Sequence, residues 1–173
     1  MARVRGVHAD ASDEVAQLYA AACPRLIGLL TVVGGSRADA EEVAQEAFVK
    51  LLQRWSTVRE YDDPEMWLRT VAVRMLVSRH RRHRVARLAL PRLAGPDLEH
   101  ADPGGTDDLI DLASAIARLP IDQRAVLVLH HLVDRPVDEV ARVLKVPVGT
   151  VKSRLARARA ALAPHLVDSE QLS

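Results

Sequence analysis

Between residues 69 and 92 the chain carries eight arginines, at positions 69, 74, 79, 81, 82, 84, 87 and 92, and no acid. A second basic block, residues 142–159, again contains no Asp or Glu. Between them, residues 93–111 hold six acids (Asp97, Glu99, Asp102, Asp107, Asp108 and Asp111) and no Lys or Arg. The formal net charge of +1 conceals this alternation. Two cationic surfaces flanking an anionic strip predict a polyanion held at two places. Arginine outnumbers lysine 21 to 3. Its planar fork suits phosphates and guanine edges, although a GC-rich genome gives the same bias, so the blocks carry the reading and the count does not.

Bond-making chemistry has little to work with. His80-x-x-His83 lies among arginines that repel a cation, and His130-His131 with Asp134 lacks a defined third ligand. Cys23 is the only cysteine, which excludes an intrachain disulfide and a cysteine zinc cage. We expect no metal, no cofactor, no small-molecule substrate and no covalent catalysis. An RNA-binding module would interleave aromatics with its cations, and residues 69–92 contain no Phe, Trp or Tyr.

The elements that position these charges are helices. The 173 residues are 49% apolar but only 3% aromatic, a composition of Ala, Leu and Val that favours helix over an all-β sandwich. The longest uncharged stretch, residues 26–36, is far short of a membrane span, and no apolar signal-like region precedes Asp13 and Glu14. A cytoplasmic protein is expected. Residues 91–106, with Pro91, Gly95, Pro96, Pro103, Gly104 and Gly105, read as a flexible linker between an N-terminal unit (10–90) and a C-terminal unit (107–166). The fold expected is all-α, two small helical domains joined by that linker.

In the first unit a helix starting after Ser12 presents Val15, Leu18, Tyr19, Ala22, Leu26, Leu29, Leu30 and Val33, with Pro24 predicted to kink or split it. Ser36-x-x-Asp39 has capping-box form for a second helix, whose Ala40, Val43, Ala44, Ala47, Phe48, Leu51, Leu52 and Trp55 recur at three- and four-residue steps. Asp63-Pro64 then opens a long helix into the arginines, with Trp67, Leu68, Val71, Ala72, Met75 and Leu76 inward. Downstream, helices over about 109–119, 121–132, 137–144 and 148–165 are expected, and no strand.

Residues 137–151 carry a helix-turn-helix pattern: small Ala141 at the crossing, with Val140, Leu144, Val146, Val151 and Leu155 fixing the angle. On the last helix, Val151, Leu155, Ala158 and Leu162 form the buried stripe. At 100° per residue the opposite face holds Gly149, Ser153, Ala156 and Arg157, flanked by Thr150 and Lys152. Small polar residues and long cations at the N-terminal end of an exposed helix suit a major-groove reader.

The run Leu119-Pro120-x-x-Gln123-Arg124, with Glu139-Val140-Ala141-x-x-Leu144 and Val148-Gly149-Thr150-Val151-Lys152-Ser153-Arg154-Leu155-x-Arg157-Ala158-Arg159, resembles region four of the extracytoplasmic-function (group four) sigma factors of bacterial RNA polymerase. Residues 40–51 resemble region two's polymerase-binding helix, and Trp67-Leu68-x-x-Val71-Ala72 its promoter-melting segment. The resemblance implies an alternative sigma factor with core RNA polymerase as partner, through the clamp helices of the largest subunit and the flap of the second-largest. It also implies promoter DNA and an anti-sigma factor as partners. Asp39, Glu42, Gln45 and Glu46 would meet the clamp. Tyr61, Asp62, Trp67, Arg74, Arg79, Arg81 and Arg82 would hold and read the minus-ten element, and Lys152, Ser153 and Arg157 the minus-thirty-five element, with Thr150 and Arg154 near phosphates. Arg74 stands where the family commonly has an Asn, Ser78 where an Asp is frequent, Lys145 where the turn usually has Gly, and Pro136 where a capping Ser is usual. The competing reading is a free-standing helix-turn-helix regulator, for which neither a heptad zipper nor a sensory domain is evident.

Overall fold

Every described element is helical. The computed structural model describes residues 3–89 and 107–167, with side-chain environments for 12–87 and 112–165, so the expected linker at 91–106 lies outside the described residues. The order is α1 (Arg3–Gly34), α2 (Arg37–Gln53), α3 (Trp55–Val58), α4 (Pro64–Ala89), α5 (Asp107–Arg118), α6 (Ile121–Leu127), α7 (Val137–Leu144) and α8 (Val148–Val167).

Helix α1 is longer than its sequence suggests: it begins at Arg3 rather than after Ser12, and Pro24 does not split it. Pro24 removes one backbone donor, to the carbonyl of Ala20. Both residues lie on the exposed side, where water can take that carbonyl, while Ala22, Cys23 and Leu26 are buried and hold the two halves in line. Residues 12–34 are long and apolar enough to cross a membrane by length and composition, which the uncharged-run argument overlooked. One side of this stretch packs into the bundle through Val15, Leu26, Leu30 and Val33. Tyr19, expected inside, is 44% exposed, with its ring edge-on to Phe48 at 4.7 Å.

Gly35, at φ +81°, closes α1, and Ser36 caps α2 by accepting from the Asp39 amide at 3.2 Å. Ala40, Val43, Ala44, Ala47, Phe48 and Leu51 are buried as the periodicity requires. Trp55 is buried too, its indole N–H donating to Glu14 at 2.6 Å, but Leu52 is 49% exposed. Asp63 caps α4, accepting from the Met66 amide at 2.9 Å.

Helix α4 is buried on two sides. Leu68, Ala72 and Leu76 were legible as an inward stripe, with Trp67, Val71 and Met75 half-buried beside them. Val73 and Val77 are equally buried, because α6 and α7 pack against α4 opposite α1 and α2. One apolar core therefore runs from Val33 and Leu51 through Val77 to Val126, Leu144 and Leu155. A smaller cluster of Ala115, Leu119, Ala158 and Leu162 ties α5 to α8.

The expected helix over 121–132 changes pitch midway. Residues Val128–Leu132 form a π turn, closed by the Val133 amide on the Val128 carbonyl at 2.9 Å, and Asp134 follows at φ 52°. Lys145 ends α7 in the left-handed region (φ 54°, ψ 50°), the conformation that Gly adopts without strain. Replacing Lys145 by Gly should raise the unfolding free energy by up to about 1 kcal/mol, less whatever entropy glycine adds to the unfolded chain. Urea denaturation of Lys145→Gly against the parent checks this.

Candidate nucleic-acid interface

On α8 the two faces separate as the spacing requires. Val151, Leu155, Ala158 and Leu162 are buried, and Gly149, Lys152, Ser153, Ala156 and Arg157 are exposed, with Thr150 half-buried. The angle between α7 and α8 is set by Val140, Ala141, Leu144, Val151 and Leu155, all buried, with Val146 packed against them. The Ser153 hydroxyl donates to the Thr150 carbonyl at 3.0 Å and keeps its acceptor lone pairs outward. Among the described residues no ion pair holds Lys152 or Arg157, and both are exposed at this face.

Arg154 is placed differently from its neighbours. Its side chain is 19% exposed and donates to Asp122 Oδ2 at 3.1 Å. A second terminal nitrogen is buried without a partner. The expected phosphate contact is therefore occupied internally in this structure.

The arginine block of α4 does not form one face. Arg74, Ser78 and Arg81 line a cleft of about 290 Å³ with Val77, Val143, Leu144 and Lys145. Arg74 and Arg82 are exposed and Arg81 is half-buried. Arg81 donates to Asp122 Oδ1 at 2.8 Å and to the Leu144 carbonyl at 3.2 Å. Arg79 points instead toward α2. It hydrogen-bonds Glu42 and lies 3.7 Å from Asp39 and 3.8 Å from Glu46. The hydrogen bond to Glu42, with the charges of Glu42, Asp39 and Glu46, holds its guanidinium above the usual arginine range against the opposing effect of partial burial. Asp39, Glu42 and Glu46, the acids expected to meet a partner, thus share one internal cation, while Gln45 is exposed. Tyr61 and Asp62 are exposed at the α3–α4 turn, and Trp67 is half-buried against the core.

Two arginines that sequence reasoning did not single out for packing cross between the units. Arg135 donates to the Thr70 hydroxyl at 3.3 Å and pairs with Glu139 at 3.0 Å. Arg124 is buried, its Nη1 within 3.5 Å of the Ala117 carbonyl and pressed against Gly35, while its Nε has no partner. Burial lowers its affinity for its proton. Nearby His80 is likewise pushed down, by desolvation and then by the Arg124 and Arg84 charges. The Arg135–Glu139 pair is an ordinary i,i+4 contact, but the reach of Arg135 to Thr70, 65 positions away, and the burial of Arg124 have no local pattern to mark them. Among the described residues no cluster of three His, Cys, Asp or Glu side chains is arranged to hold a metal.

The family model for sigma-70 region 2 matches residues 18–85 and that for sigma-70 region 4 matches residues 109–162. The chain is 34% identical over 151 residues to the ECF RNA polymerase sigma factor SigC of Mycobacterium tuberculosis, covering 84% of this chain and 76% of that one. It is 29% identical over 129 residues to the RNA polymerase sigma-E factor of Streptomyces coelicolor, covering 75% and 72%. Among solved structures, the sigma factor RpoE in complex with the anti-sigma factor NepR from Bartonella quintana superposes with a TM-score of 0.67 at 22% identity, over 88% of this chain and 96% of that one. CnrH in complex with the cytosolic domain of CnrY gives 0.53 at 26% identity, over 95% and 97%.

The Arg79 bracket makes its own prediction. Arg79→Ala removes one cation from among three carboxylates that then repel one another, and should destabilise the fold by about 1 kcal/mol at low salt. The difference from the parent should shrink in molar salt, where a screening length of about 3 Å covers the repulsion. Urea unfolding at two salt concentrations reads both.

Proposed function

The chain belongs to the extracytoplasmic-function branch of the sigma-70 family and is an alternative sigma factor that directs transcription by bacterial RNA polymerase; from this we propose how its residues divide the work. Residues 10–90 act as the region-two unit and 107–166 as the region-four unit, with 91–106 as the tether. The exposed face of α8 reads the minus-thirty-five element through Lys152, Ser153 and Arg157, with Thr150 near the backbone. Arg74 and Arg82, with Tyr61, Asp62 and Trp67, hold and read the opened minus-ten strand, where cations and aromatic stacking are what a separated strand requires. Arg81 joins them once released from Asp122. Asp39, Glu42, Gln45 and Glu46 face the clamp helices of the largest polymerase subunit, and region four meets the flap of the second-largest. The protein acts by binding alone, in the cytoplasm, without metal or cofactor.

The observation that carries this reading is the division of α8, with exposed Lys152 and Arg157 opposite a buried Val151–Leu155–Ala158 stripe. An anti-sigma factor is a further partner, since RpoE and CnrH, which share this fold, were solved with NepR and with CnrY. A free-standing regulator is not favoured, because the region-two match over residues 18–85 gives that reading nothing to do.

Geometry adds a requirement. Elements centred near minus thirty-five and minus ten are separated by about 85 Å of duplex at 3.4 Å per base pair. A compact chain of this length is only about 40 Å across. The two units must therefore part before both elements are bound, and core polymerase is the body that can hold them apart.

Run-off transcription with core polymerase on a library of promoter fragments tests the proposal. Start sites should appear only when both components are present. Lys152→Ala and Arg157→Ala should each lower minus-thirty-five-dependent transcription about tenfold, consistent with about 1–3 kcal/mol per base contact, without weakening core binding. Tight operator binding by a dimer, with no core-dependent starts, would refute the proposal.

A further inference from the structure

The segment between α3 and α4 presents Tyr61 and Asp62 to solvent, and what holds it lies on another helix. Helix α3 is a single turn, Trp55–Val58, with no side-chain cap at its start. One turn has little stability of its own, so tertiary contacts must place it. Two of these are apolar, through buried Trp55 and Val58. The third is Glu14 of α1, whose carboxylate serves both ends of the turn. Oε2 accepts from the Trp55 indole at 2.6 Å, and Oε1 accepts from Arg59 Nη2 at 2.9 Å. From Arg59 onward the backbone stays wound on α3. The amides of Arg59, Glu60 and Tyr61 donate to the carbonyls of Trp55, Thr57 and Val58 at 2.9, 3.3 and 3.0 Å. Tyr61 and Asp62 thus follow closely on a clamped arginine.

The far end of the segment is held from the same helix. Glu65, in the first turn of α4, accepts from Arg25 of α1 at 3.2 Å and from Arg69 at 2.5 Å. At 100° and 1.5 Å per residue, Arg25 lies within about 20° of the face that carries Glu14 and about 16 Å further along the axis. Helix α1 runs through Pro24 without a break, so the two grips are fixed relative to one another.

We propose that Glu14 is a positioning residue for minus-ten recognition, which sets how sharply the α3–α4 segment selects its base without itself touching DNA. The proposal rests on the reading of Tyr61 and Asp62 as minus-ten residues. An aromatic ring stacks on an unstacked base, and a carboxylate accepts from an exocyclic amine. Both discriminate well only when held in place beforehand. The Glu14 and Arg59 side chains are 34% and 38% exposed, so their ion pair adds little to the stability of the fold. Its effect falls on where the segment sits. The other carboxylate near Arg59, that of Glu60 at 3.8 Å, belongs to the segment itself and anchors nothing.

The test is run-off transcription by the full chain with core polymerase on two promoter libraries, one randomised across the minus-ten element and one across the minus-thirty-five element. Glu14→Ala should lower the ratio of best to worst base by about fivefold at the minus-ten position that the segment reads. The minus-thirty-five preference should not change. Glu14→Gln keeps an acceptor for the Trp55 indole but loses the charge that holds Arg59, and should give a smaller loss in the same place. It is read in the same way if Glu14→Ala folds poorly. In a Tyr61→Ala, Asp62→Ala background, Glu14→Ala should change nothing further, because it acts through those two side chains. An equal fall for every minus-ten sequence would mean only a weakened fold, and would overturn the proposal. An unchanged preference, or a loss that persists in the double-variant background, would do the same. The double variant also separates the two levels. If it flattens the minus-ten preference and Glu14→Ala does not, the positioning role falls and the reading of Tyr61 and Asp62 stands. If it leaves the preference intact, that reading falls and the positioning role falls with it.

Discussion

Packing of α4 against α1–α2 on one side and α6–α7 on the other is the constraint on which the rest of the structure depends. It makes one core of what the sequence divides into two units. Val73 and Val77, off the inward stripe the sequence shows, are buried here. Burying a valine contributes about 1.5 kcal/mol or more, enough for a few such side chains to hold the units together while a partner with a large interface can still separate them. The same packing decides which arginines are free. Residues on the α7 side of α4 meet region four, Arg79 meets the acids of α2, and Arg74 and Arg82 remain outward.

Much of this was legible in the sequence where the rule is local. The alternation on α8, the caps at Ser36 and Asp63, the turn at Lys145 and the buried stripe of α2 each depend on residues within one or two turns of one another. Periodicity and capping chemistry are sufficient there. The left-handed conformation of Lys145 in particular follows from the turn's geometry, whichever residue occupies it.

Where the sequence misleads, the reason is tertiary. Pro24 breaks helices in general, but Ala20 and Pro24 face water while their neighbours are anchored. The arginine block reads as one surface because charge patterning has no direction. In three dimensions, steps of 100° per residue send Arg79 and Arg81 to opposite neighbours. Leu52 and Tyr19 fit the apolar stripes and are nonetheless outward, 49% and 44% exposed, because a 3.6-residue period does not say how wide the partner face is. Asp122 carries no sequence signal at all, since Arg81 and Arg154 are 41 and 32 positions away.

In this structure the two units share one apolar seam, and the proposed binding of two promoter elements requires them to part. The most direct test is the distance between the units with and without core polymerase. Spin labels at the exposed positions Ser56→Cys and Ala160→Cys, in a Cys23→Ala background, report on it by double electron–electron resonance. The account predicts a single short distance in the free chain, replaced on adding core polymerase by one longer by tens of ångströms. A distance that stays short in a transcriptionally active complex would contradict it.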